Sequence, residues 1–282
     1  MPFPIIDTHT HVVAADRDRY PMQRSARPLG SDWVERHPVD AEGLLATLNA
    51  HGVHGAVLVQ PVGTYAFDNS YVADAVAATP SRLTGLSVVD MGGTDRIDAL
   101  THWAGRGIGG TRLFNVPRVD PPWLATEVSA EVLACARRLG LRLTACILAD
   151  DLDAVGGLLE QAGDVPLALD HCGFADIGDP ASATMAALTR LAGHANLRLK
   201  VTTTIFRMQP PARGDERDVL ERLCAIFGPE RLMWGSDYPQ HYEETYAEHL
   251  ALARWASSRL PAVDQERFLG GTALELWPEL AQ

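Results

Sequence analysis

What this 282-residue chain lacks narrows its class before any motif is considered. It has only four cysteines, and Cys135, Cys146, Cys172 and Cys224 show no CxxC spacing. Each lies in an apolar segment, so they read as reduced core residues of a cytoplasmic protein and not as a disulfide frame or a zinc knuckle. No apolar run approaches membrane-spanning length, and the N-terminus has neither the basic start nor the long apolar core of a signal peptide. Positive charge is also in deficit. With 24 Lys and Arg against 36 Asp and Glu, the formal net charge is -12, which opposes binding to nucleic acid or to an anionic membrane. Any anion bound here needs a local gathering of arginines. Low-complexity segments are absent and no composition shift marks a boundary, so residues 1–282 read as one domain.

What is present is a couplet of helix and short apolar strand that returns along the chain. Residues 40–49 read as a helix with Asp40 as N-cap and Gly52 as stop, followed by the buried strand Gly55-Ala56-Val57-Leu58-Val59-Gln60. Helices over 69–78, 95–104, 129–139, 151–161 and 181–192 alternate with strands over 83–89, 108–114, 141–147, 167–169 and 197–201. A helix over 216–227 feeds a strand at 231–235, and helices over 243–258 and 263–277 close the outer layer. With the opening run Pro4 to Val12 there are eight strands. Short continuous apolar strands between helices are what a parallel sheet buried on both faces requires. Eight such units close as an α/β fold of the (β/α)8 TIM-barrel type; an open doubly wound sheet is the alternative. The barrel is favoured because the polar residues that one shared site would need lie at both chain ends, and a barrel makes its first and eighth strands neighbours. The non-periodic stretch 13–38, rich in Arg, Asp and Pro, is expected to fold over that site.

The first strand ends in Asp7-Thr8-His9-Thr10-His11. Alternate side chains of a strand share a face, so both imidazoles project to one point, as metal ligands or as hydrogen-bonding groups aimed at a carbonyl. Barrel enzymes carry their reacting groups just past the strands' C-terminal ends. There the chain offers Arg112, Asn115 and Arg118 after strand four, Asp170-His171-Cys172-Gly173 after strand six, Lys200 and Arg207 with strand seven, and Gly235-Ser236-Asp237-Tyr238-Pro239 after strand eight. Other patterns fail their context. Gly105-x-Gly107-x-x-Gly110 precedes a strand and opens no helix, so it is a connecting loop and no dinucleotide fingerprint. His51-Gly-Val-His54 is a turn into strand two, and His241 and His249 have no supporting motif, although His241 is near enough to Asp237 to line a pocket. Gln60-Pro61-Val62-Gly63-Thr64-Tyr65 reads equally as a substrate contact and as a rigid turn.

Taken together, His9-x-His11, His171 and Asp237, with the phrases Gly110-Thr111-Arg112-Leu113-Phe114-Asn115, Leu169-Asp170-His171-Cys172-Gly173 and Met233-Trp234-Gly235-Ser236-Asp237-Tyr238-Pro239, resemble the amidohydrolase superfamily. More narrowly they resemble its amidohydrolase-related branch, which includes 2-pyrone-4,6-dicarboxylate lactonase, and the likeness spans nearly the whole chain. The resemblance implies a hydrolase that opens a small carboxylated lactone. Asp237 would be the general base for water, and His9, His11 and His171 would bind or polarise the carbonyl. Arg112, Arg118, Arg207 and Tyr238 would hold the substrate. Binuclear members carry a bridging Lys or Glu after strand four or five, where this chain has Arg112 and Cys146-Ile147-Leu148, so two metals are not expected. Metal-free chemistry is favoured, with one divalent ion such as zinc on His9, His11, His171 and Asp237 as the alternative. A zinc-dependent decarboxylase, a sugar-acid lactone isomerase and a binding protein on a degenerate barrel are the rival functions. The oligomeric state is unreadable.

Overall fold

Eight strands run parallel, in chain order, around one ring in the computed structural model, which describes residues 3–23, 32–116, 122–208 and 214–281. They are β1 Ile5–Thr10, β2 Val53–Val59, β3 Leu83–Ser87, β4 Gly110–Asn115, β5 Arg142–Ile147, β6 Leu167–Leu169, β7 Leu197–Thr202 and β8 Leu232–Gly235. The ring closes between chain ends: Asp237 N–H donates to His9 O and His11 N–H to Tyr238 O, both at 2.8 Å. The expected TIM-type barrel is therefore the fold, with helices between the strands.

The strands are rich in apolar residues because both faces are covered. On β2, Ala56 and Leu58 join the large cluster beneath the helices, while Val57 and Val59 meet Ile6, Leu86, Ala168 and Met233 from other strands inside the ring. Leu276, Trp277 and Leu280 plug that interior layer from one end. On β1 the alternation is interrupted. Asp7 pairs with Ala56 but Thr10 with Leu58, so three steps on β1 match two on β2, a bulge. Counting by twos from inward Ile6 would turn His9 and His11 outward; the extra residue turns both inward.

Two stretches differ from expectation. The helix expected over 263–277 is broken into Ala262–Glu266, a π-helical stretch Arg267–Gly271 and Thr272–Leu276. A Cβ on Gly270 would collide with the carbonyl of Pro4, so the helix yields where the strand β1 enters. Within the loop 13–38, a short helix Trp33–Arg36 forms, and Val13, Ala14, Tyr20, Trp33 and Val34 are buried with Tyr65. Gly105 ends helix Arg96–Gly105 and Gly110 opens β4, which makes the glycine triad a connector. Among the described residues no helix is long and apolar enough to cross a membrane.

Candidate active site

Ring closure brings the two ends of the chain to one centre. His9 Nε2 lies 3.7 Å and His11 Nε2 3.4 Å from Asp237 Oδ1, and the rings of His9 and His171 are 4.6 Å apart. Two backbone irregularities aim these groups. His171, Cys172, Gly173 and Phe174 all have left-handed φ, at 52°, 48°, 63° and 54°, a run that L-residues rarely adopt. This turn lets the neighbours Asp170 and His171 both face the interior, where a continued strand would send them to opposite faces. Asp237 is left-handed as well, at φ 60°, and turns back over β1 as the chain leaves β8. Such conformations cost about 1–3 kcal/mol each and persist only where their surroundings hold them. Here the holders are Thr202 Oγ1, 2.7 Å from His171 Nδ1, and the Asp237 N–H bond to His9 O.

Beneath this centre lies an ionic layer. Asp170 takes Arg112 Nε on Oδ2 at 2.6 Å and Lys200 Nζ on Oδ1 at 3.0 Å, and His9 Nδ1 stands 3.5 Å from the same Oδ1. Lys200 and Asp170 have no exposed surface, and the ammonium sits 5.7 Å from the Trp277 ring of the apolar plug. Strand-end position singles out both residues but assigns them no role. The overlooked signal is that Lys200 is the only lysine in the chain, set inside an apolar strand where solubility cannot explain it.

Burial and pairing set the charges. Burial pushes the Asp170 carboxyl up, but Lys200, Arg112 and His9 outweigh it and hold it well below the usual carboxylate range. Burial likewise raises Asp237, and His171, His11 and His9 more than reverse this. His9 is pulled well below its ordinary value by burial, and His171 is pulled down to about 4. At neutral pH two carboxylates thus face uncharged His9 and His171.

The protons on the rings follow from their outer partners. His11 Nδ1 is 2.8 Å from the Val59 carbonyl oxygen, which only accepts, so that nitrogen carries the hydrogen. His9 Nδ1 faces the Asp170 carboxylate at 3.5 Å without a hydrogen bond, and the negative charge there favours the hydrogen on that nitrogen. Both Nε2 atoms therefore present lone pairs toward Asp237 Oδ1, a convergence that needs a proton, a water or a cation between them. Neither ring nitrogen of the buried His9 makes a hydrogen bond. Ligand atoms of His9, His171 and Asp237 lie within 4.8 Å of one another, which fits one divalent ion, and carboxylate and carbonyl partners on the far nitrogens are usual for metal-binding histidines. His11, the fourth expected ligand, is not in that group of three.

A cavity of about 320 Å³ opens over the centre, lined by His11, Arg112, His171, Asp237 and Cys146, with Trp33, Gln60 and Thr64 among its wall residues. Arg112 spends Nε on Asp170 and also lines this space. Thr204 Oγ1 donates to Asp237 Oδ2 at 2.5 Å and lies 2.8 Å from His241 Nε2, and both residues line the cavity. Thr202 and Thr204 are contacts that the reading by strand ends passes over, although they directly follow the apolar part of β7. Two expected substrate contacts lie elsewhere. Arg207 is 42 % exposed and paired with Glu244 at 2.7 Å and Glu216 at 3.7 Å, because the helix Thr203–Met208 carries it past the mouth. Tyr238 packs edge-on against Tyr246 and lines a separate pocket with Pro38 and Thr47. Arg118 falls outside the described residues.

Comparison with known proteins places the chain in a family. The family model described as Amidohydrolase matches residues 6–278. The chain is 25 % identical over 290 residues to an L-fucono-1,5-lactonase of Burkholderia ambifaria, covering 96 % of this chain and 94 % of that protein. It is 26 % identical over 237 residues to a 4-sulfomuconolactone hydrolase of Rhizobium radiobacter, covering 83 % of this chain and 75 % of the relative. The crystal structure of a probable 2-pyrone-4,6-dicarboxylic acid hydrolase from Acinetobacter baumannii superimposes with a TM-score of 0.79 over 97 % of this chain and 99 % of the other, at 21 % identity, a likeness of fold. A barrel with paired histidines on its first strand, a carboxylate after its eighth and a family match over nearly its full length belongs, therefore, to the amidohydrolase family of hydrolases.

Proposed function

We propose that this hydrolase opens a small carboxylated lactone with water, and that Asp237 is the base. The observation that carries the reading is the setting of that carboxylate: buried, with Oδ1 facing the lone pairs of His9 and His11 and Oδ2 held by Thr204, at the floor of a cavity that Arg112 also lines. Opening a cyclic ester needs a nucleophilic water, a group to deprotonate it and a donor where the oxyanion grows. Asp237 Oδ1 and one of the Nε2 atoms of His9 and His11 accept the two hydrogens of the water and orient it. His171, whose Nδ1 is hydrogen-bonded with Thr202 Oγ1 at 2.7 Å, supplies the donor when its ring proton is on Nε2. As the water oxygen bonds to the carbonyl carbon, its proton passes to Asp237. Collapse breaks the ring C–O bond, and Asp237 returns the proton to the departing alkoxide, leaving a hydroxy acid. Arg112 grips the substrate carboxylate through its terminal nitrogens, in the bidentate manner that suits a guanidinium. The relatives named as lactonase and lactone hydrolase support ring opening as the reaction.

This division of labour among the histidines differs from equal support of the carbonyl, because the Val59 carbonyl fixes the Nδ1 proton of His11 and the Asp170 charge favours the same for His9. A divalent ion held by His9, His171 and Asp237 would supply Lewis acidity at the same carbonyl. The cytoplasm is the proposed location, where four free cysteines stay reduced. The test is proton release from a panel of carboxylated lactones, wild type beside Asp237→Asn. The variant is expected to keep its fold and to lose about 10²–10⁴-fold in kcat. Equal rates would overturn the assignment of the base.

A further inference from the structure

We infer that His241 is a positioning residue for the base: through the Thr204 hydroxyl it holds the Asp237 carboxylate so that Oδ1 meets the water. The inference deepens the lactonase reading and rests on Asp237 as its base. Asp237 and His241 leave the end of β8 on one turn, where the Gln240 N–H donates to the Asp237 carbonyl at 2.8 Å. Thr204 stands just past the end of β7, the neighbouring strand. The His241 Nε2 atom is 3.8 Å from Asp237 Oδ2, too far for a hydrogen bond. Thr204 Oγ1 bridges the two, 2.5 Å from the carboxylate oxygen and 2.8 Å from the ring nitrogen. All three residues line the cavity.

The hydroxyl has one hydrogen to place between two neighbours. The ionised carboxylate only accepts, so that hydrogen goes to Oδ2, and the ring contact is a bond only if His241 Nε2 carries a hydrogen and donates it to Oγ1. With the ring proton on Nδ1 instead, Nε2 would draw the hydroxyl hydrogen to itself. Oγ1 would then turn a lone pair on Oδ2 from 2.5 Å. The ring thus decides whether Thr204 holds the carboxylate or repels it. The other oxygen, Oδ1, faces His9 and His11 Nε2 at 3.7 and 3.4 Å. A carboxylate turning about its Cβ–Cγ bond moves both oxygens together, so anchoring Oδ2 fixes Oδ1. A misplacement of about 1 Å at reacting groups can cost on the order of 10²-fold in rate, which gives the anchor its value. In this role His241 touches no reacting atom and works through Thr204 alone.

The test is a cycle of variants assayed on a carboxylated lactone. His241→Leu, which cannot donate, should lower kcat roughly 10-fold and leave KM within about twofold of wild type, because the lost contact serves the base and not the substrate. His241→Gln, whose amide nitrogen can donate to Oγ1, should recover most of that loss, and Thr204→Ser should be faster than Thr204→Val. Because the two residues act in series, His241→Leu should cost nothing further in a Thr204→Val background. A second readout needs no turnover. An imidazole N–H proton resonance that disappears in His241→Gln, and so belongs to His241, should be protected from exchange in wild type and lost in Thr204→Val. Additive losses in the double variant, a rise in KM as large as the fall in kcat, or absence of that resonance would each overturn the inference. No turnover of any lactone by wild type, with the resonance present, would overturn the lactonase reading and leave the hydrogen-bond chain standing.

Discussion

The interior of this barrel is two different materials stacked on one axis. At one end Ile6, Val57, Val59, Leu86, Ala168 and Met233 meet the plug of Leu276, Trp277 and Leu280, and nothing but shape has to be satisfied. At the other end the inward positions are His9, His11, Arg112, Asp170, His171 and Asp237, where each group needs a partner of the right charge. The same strands supply both layers, so the difference lies in side chains and not in backbone class. It teaches that the apolar half exists to be rigid and the polar half to be exact about protons. Lys200 is the seam, with its ammonium on Asp170 above and near the Trp277 face below.

The seam is where the contrast breaks most easily. Lys200→Met keeps the length of the side chain but leaves the fully buried Asp170 with Arg112 as its remaining cationic partner. Removing one member of a buried pair typically costs about 3–5 kcal/mol, because the other charge is stranded. Denaturant unfolding should show that loss, and the double variant with Asp170→Asn should recover part of it. A cost under about 1 kcal/mol would mean that the two halves do not meet through this ion pair.

How much of this was legible beforehand differs between the layers. The fold was, because eight short apolar runs between helices leave few other ways to bury a sheet. So were His9, His11, His171 and Asp237, each standing directly after such a run. Asp170 was in plain view, yet strand alternation predicts that it faces away from His171, and only the left-handed turn brings both inward. The kinked C-terminal helix was not legible, since the demand on Gly270 comes from the Pro4 backbone at the far end of the chain. Arg207 misled for a related reason: proximity along the chain to Lys200 says nothing about which way a helical turn will carry it.

A sharper and somewhat smaller test lies at Asp7, on β1 between Ile6 of the apolar layer and His9 of the polar one. It accepts the Ser236 N–H at 2.9 Å and the Tyr246 hydroxyl at 2.9 Å, but burial still pushes its carboxyl from 3.8 up to about 6. Between those pH values the folded chain keeps a proton that the unfolded chain has released. Native stability from this group therefore falls as pH rises through the window, by about 3 kcal/mol in all. Asp7→Asn removes the titration, so its stability relative to wild type should climb by most of that amount from pH 4 to pH 7. Parallel pH profiles for the two proteins would show that Asp7 is no buried acid.

The smallest expected effect belongs to the apolar half. Met233→Leu conserves volume in a layer that asks only for packing, so it should cost less than about 1.5 kcal/mol. Because Met233 contacts the plug and the other inward apolar residues, and lines no part of the substrate cavity, kcat and KM should not move. The prediction is informative because β8 carries both this residue and, just beyond its end, Asp237. If repacking Met233 altered kcat without altering stability, the carboxylate would be sensing the layer below it through the strand. The polar half would then depend on the apolar one for more than support.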